Sequence, residues 1–142
     1  MSNQRNILRL RIPFSTHNNK LRDKARPYIC MTNLPDLRLV KCQTVKISHR
    51  DNPNAPPINR VLVLPSNDVP LISPTIIDCD KVFDVLNVSF IDPALLMTIP
   101  RKPSSISTQV LKDIQRKLNH DGLKVHILAL NEVSRLNNNQ IR

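Results

Sequence analysis

The chain has 142 residues, 40% of them hydrophobic and 3% aromatic, with no tryptophan, so its length suits one domain and its core must be aliphatic. This is too apolar for an intrinsically disordered chain. An excess of 21 Lys and Arg over 11 Asp and Glu, a net charge of +10, points to a polyanionic partner, most simply nucleic acid, because neutralising phosphates releases counterions.

In chain order, residues 7–12 read as a first strand closed by Pro13, after a polar start. Residues 17–24 form a polar, basic loop carrying His17, Asn18, Asn19, Lys20, Arg22 and Lys24. Arg26-Pro27 opens a buried strand over residues 28–31. Residues 37–48 predict a longer strand whose alternation breaks at Lys41-Cys42, which predicts a bulge there. The Pro/Asn-rich stretch 49–59 is a loop at the sheet edge, and residues 60–64 return as a strand ending close to Ser66. Residues 74–80 carry another short strand, and residues 82–90 either continue the sheet or cross it irregularly.

Residues 104–119 give the clearest helix, capped by Ser105 or Ser107, with Ile106, Val110, Leu111, Ile114 and Leu118 on one stripe. Gly122, the one glycine, is expected as its left-handed C-cap. With a single glycine, no Gly-rich phosphate loop can be drawn, and turns must be built from Pro, Asn and Asp. Residues 124–130 read as a last strand or a helical turn, and residues 131–142 as a polar, frayed tail. The expectation is a mostly β, α+β domain over residues 1–130, a small barrel with a C-terminal amphipathic helix.

Cysteines at 30, 42 and 79 are odd in number and widely spaced, which supports neither a disulfide framework nor a zinc site and suits buried thiols in a reducing compartment. No apolar run nears the ~20 residues that span a bilayer, and the N-terminus lacks a signal-peptide core. A cytoplasmic protein without a membrane partner or a cofactor is expected.

Five features then combine: the first strand, the basic loop, Arg26-Pro27 before an apolar strand that reaches Thr32-Asn33, a strand ending on Ser66, and a strand leading to Asp80. With a late helix after a Ser/Pro-rich link, this order resembles the PemK/MazF family of toxin endoribonucleases over roughly residues 5–120. The resemblance implies an SH3-like barrel, a homodimer with single-stranded RNA crossing its groove, an antitoxin partner, and metal-independent RNA cleavage in a type II toxin–antitoxin module. The family's opening Gly-Asp is absent, and Lys81-Val82-Phe83 stands where the family has an arginine-bearing segment.

Cutting RNA without metal needs a base for the 2′-hydroxyl, an acid for the leaving oxygen, and cations facing the phosphorane. Asp80 is the candidate base, Arg26 the phosphate clamp, and Ser66 a hydrogen-bonding partner of the phosphate. Arginine stays protonated, which favours an electrostatic role. Phe14 is the candidate stacking ring, Asn18, Asn19 and Asn67 the candidate base readers, and His17, Lys20, Arg22, Lys24 and Lys81 the candidate RNA contacts. Plainer readings stand beside these: Arg26 as a sheet-edge residue, Ser66 as a turn residue, Asp80–Lys81 as a surface pair, and Lys112, Arg116 and Lys117 as complements to the helix dipole. The alternative function is a non-catalytic, basic module of the same barrel fold that binds nucleic acid or a protein.

Overall fold

A computed structural model describes residues 3–16, 19–20, 24–44, 59–66 and 69–142, with the backbone alone described for 15, 16, 19 and 20. Its strands are β1 (Ile7–Leu10), β2 (Ser15–Thr16), β3 (Asn19–Lys20), β4 (Arg26–Cys30), β5 (Leu37–Thr44), β6 (Arg60–Val63), β7 (Thr75–Asp78), β8 (Lys81–Val85) and β9 (Lys124–Leu128). Its helices are α1 (Thr108–Leu118) and α2 (Leu130–Leu136). Among the described residues the fold is therefore mostly β with two α-helices.

The main sheet runs β1-β4-β5-β7-β6, with β8 also on β5 and β9 on β8. All its ladders are antiparallel except β8–β9, which is parallel. That ladder decides between strand and helical turn for the region after α1 in favour of strand. β2 and β3 form a separate two-stranded ribbon.

β5 organises the molecule because both its faces are buried. Leu37 and Leu39 enter one core with Tyr28, Phe83 and Val133, while Val40 and Cys42 enter the other with Ile29, Ile77 and Ile114. Burial on two sides erases the alternation of a half-exposed strand, and this explains the break at Lys41-Cys42. No bulge lies in β5 against β4, where Tyr28↔Lys41, Ile29↔Val40 and Cys30↔Leu39 follow in step. The extra residues sit across from it. Between the pairs Cys42↔Ile77 and Leu39↔Phe83, Val40 and Lys41 of β5 face residues 78–82, so the β7–β8 strand bends there. Below the bend, Arg38 grips Asp84 with two hydrogen bonds of 2.8 Å across a directly paired position.

α1 packs Leu111, Ile114 and Leu118 on the Val40 side of the sheet, and the Ser107 hydroxyl caps it by accepting from the Val110 amide at 3.2 Å. The helix closes at Asn119, and no glycine has a positive φ, so Gly122 is not its left-handed cap. Asparagine takes that work elsewhere: Asn59, Asn87, Asn138 and Asn139 all have positive φ, as a short polar side chain allows.

Residues 131–142 are not a frayed tail. α2 inserts Val133 into the second core, Ile141 is fully buried and bridges to Ile91, and the Arg142 carbonyl accepts from the Ser89 and Phe90 amides. Cys30, Cys42 and Cys79 are buried and free. No described helix is long and apolar enough to cross a membrane.

Candidate functional site

Strand pairing puts a row of polar side chains on one face of the sheet. Tyr28 faces Lys41, Gln43 faces Ile76, Ile76 faces Leu62, and Asp78 faces Arg60. Residues two apart in a strand share a face, so Arg26 joins Tyr28, and Lys41 joins Gln43. Three basic side chains from three strands, Arg26 of β4, Lys41 of β5 and Arg60 of β6, thus share one face of the sheet, the face that Tyr28 and Leu39 bury in the second core. The opposite surface of the same strands, Ile29, Val40, Cys42, Ile77 and Val63, is core under α1.

These side chains sit partly out of water. Lys41 is 4% exposed, and Arg26 and Arg60 are half-buried. Tyr28 lies beneath them with no exposed surface, and its hydroxyl meets no hydrogen-bond partner among the described residues. Burial pushes its phenol well above the usual tyrosine range, against the smaller lowering effect of Arg26, so it stays neutral. Cations held in partly desolvated ground act more strongly on a phosphate than the same charges in open water.

The proposed catalytic trio is not gathered. Asp80 and Ser66 follow opposite ends of the β6–β7 ladder: Asp80 lies beyond the Arg60–Asp78 pair, and Ser66 beyond the Val63–Thr75 pair. The Asp80 carboxylate accepts from the Asn59 amide at 3.0 Å, and its backbone N–H donates to Asp78 Oδ1 at 2.9 Å. Ser66 is exposed. Of the three, Arg26 alone belongs to the cationic row.

Two of the RNA-contact candidates do meet. Phe14 is half-buried, its ring centroid 5.3 Å from that of Phe83 and 4.5 Å from that of His126, and Lys81 Nζ sits 5.5 Å from its centre. Phe14 is thus a member of an aromatic cluster, with one side under a cation. Burial first, then Lys81 and Lys124, lowers the His126 pKa. Lys24 is exposed, and the side chain of Lys20 is not described. His17, Asn18, Arg22 and Asn67 lie outside the described residues, as does the stretch 45–58.

Sequence reading passed over Lys41, Arg60 and His126. The available signal was a cation inside or opening an apolar strand, Lys41 between Val40 and Cys42 and Arg60 before Val61. Such a residue reads as a solvated face until the strand order sets it beside others.

The chain matches no protein-family model and no curated protein.

Proposed function

We propose that the chain is a basic RNA-binding module that grips the phosphate backbone across the β4–β5–β7–β6 face. The observation that carries this reading is the row of Arg26, Lys41 and Arg60 on one sheet face of a chain with net charge +10. Each guanidinium has five donors in a planar fork, so an arginine that holds one protein partner keeps donors for a phosphate. Lys41, nearly buried, adds potential from below rather than direct contact. The finer fold we propose is an SH3-like barrel, supported by a bent β7–β8 strand sharing β5 with β4.

A second reading is the metal-independent endoribonuclease toxin of PemK/MazF type, acting as a homodimer restrained by an antitoxin. Its support is the order of β1, β4, β6 and β7, which follows the order of the resembling segments, and the place of Arg26 at the mouth of β4. The separation of Asp80 from Ser66 favours binding over cleavage.

One experiment tests both. Purified protein is titrated with a labelled single-stranded RNA in EDTA at low salt, and the same samples are run on a denaturing gel. Binding without cleavage, weakened at least about tenfold in the R26A/R60A double variant, is the expected result. Discrete cuts lost in Arg26→Ala favour the toxin reading. RNA that neither shifts nor is cut overturns both.

A further inference from the structure

A cleft of about 400 Å3 opens between the β1–β4–β5 side of the sheet and two connecting segments. Its volume lies in the range of small-molecule sites rather than of a chain-binding surface. Exposed Arg9 lines it, its backbone paired with Pro27 across the β1–β4 ladder, and Leu71, Pro27 and Met97 supply apolar lining. Ser73 and Thr98 also line it, and among the described residues no acidic one does.

Both walls are held in place. The Met97 N–H donates to the Ile7 carbonyl at 2.8 Å, tying the 97–99 segment over β1. The Leu71 carbonyl accepts from the Lys102 ammonium, and the Leu71 N–H donates to the Val69 carbonyl at 2.9 Å. The Thr75 hydroxyl is engaged at the Ser73 carbonyl at 3.0 Å, so it braces the wall and is not a donor into the cleft. Arg9 is exposed, and its side chain makes no ion pair or hydrogen bond with a described residue. A pre-formed cleft that combines apolar walls with an arginine and hydroxyl-bearing residues in its lining has the chemistry of an amphipathic anion's partner.

We propose that this cleft binds a small organic anion, a carboxylate or a phosphate monoester on a compact apolar body, with Arg9 holding the charged group. The site does not depend on the RNA reading, because it uses none of the same cations. The test is titration of the full chain with sodium octanoate, phenyl phosphate and neutral 1-octanol, followed by amide chemical shifts. Shifts at Arg9, Thr75 and Thr98 with octanoate assign a carboxylate site, and the same shifts with phenyl phosphate assign a phosphate one. Either binding is expected to weaken at least about tenfold in Arg9→Gln, an exposed substitution that leaves the core intact. No saturable shift with either anion overturns the proposal. So do equal binding of octanol, shifts spread over the basic surface, or an Arg9→Gln protein that binds like the parent.

Discussion

Single side chains do much of the joining between distant parts of this chain. Asn137 is the clearest case, buried at 6% exposure, with its amide nitrogen donating to the carbonyls of Arg11 at 2.8 Å and Val133 at 2.7 Å. Its oxygen accepts from the Arg11 N–H at 2.9 Å. One amide thus satisfies backbone groups after β1 and at the end of α2. Asn137→Ala removes all three bonds and orphans polar groups in a buried place, so a loss of about 2–3 kcal/mol in urea unfolding is expected. A loss under about 0.5 kcal/mol would mean that the C-terminal segment is not docked in this way.

His126 yields a prediction of a different kind at the same scale. Its pKa is lowered by burial and by the Lys81 and Lys124 charges, so the folded state holds fewer protons than the unfolded chain just below the ordinary histidine value of about 6.5. Its contribution to stability is therefore complete above that pH, declines as pH falls through the interval down to the folded pKa, and is flat below it. The melting temperature is expected to drop between pH 7.5 and 5.5, and to drop less in His126→Gln. Equal slopes in the two proteins would remove the ring from the explanation. None of this was legible in the sequence, where the four histidines are scattered and lack ligand spacing. The parallel β8–β9 pairing, not local spacing, sets His126 against Phe83.

Among the elements, legibility followed local pattern. α1 was readable because its apolar stripe and its capping serine are written within one stretch, and the structure uses Leu111, Ile114, Leu118 and Ser107 as expected. β1, β4 and β6 were readable as short apolar runs bounded by turns. The bulge was misplaced because an alternation break in β5 has two causes, an inserted residue or burial on both faces, and only the partner strands distinguish them. The C-terminal segment was misread because residues 131–142 carry few apolar side chains at no regular period, and most of its order comes from docking. Ile141 makes this measurable. It is fully buried and bridged to Ile91, so Ile141→Ala should cost about 2–4 kcal/mol, far above the near-zero effect expected in a frayed tail. A melting temperature unchanged from the parent would restore the tail reading.

At the scale of the whole molecule, charge and fold supply different parts of the argument. Net charge alone favours any polyanion and says nothing about where it binds. The strand order converts that general attraction into a place, because it sets Arg26 and Arg60 on one face with Lys41 nearly buried between their strands. The two contributions separate in salt. A diffuse basic surface and a defined set of contacts both weaken as salt rises, but only defined contacts change the slope in a countable way when removed. For single-stranded RNA each phosphate contact contributes about 0.7 to the slope of log affinity against log salt. If Arg26 and Arg60 each neutralise one phosphate, the R26A/R60A protein should show a slope shallower by about 1.4 than the parent, while a pair of exposed cations elsewhere, Lys112 and Arg116 on α1, should leave it nearly unchanged. Parallel slopes for the parent and R26A/R60A, with affinity falling equally in both double variants, would mean that the charge acts as a cloud and that the sheet face is not the interface. A slope that changes only with Arg26 and Arg60 would locate the RNA backbone on the β4–β5–β7–β6 surface, and the spacing of those two residues would then set how many nucleotides one module covers.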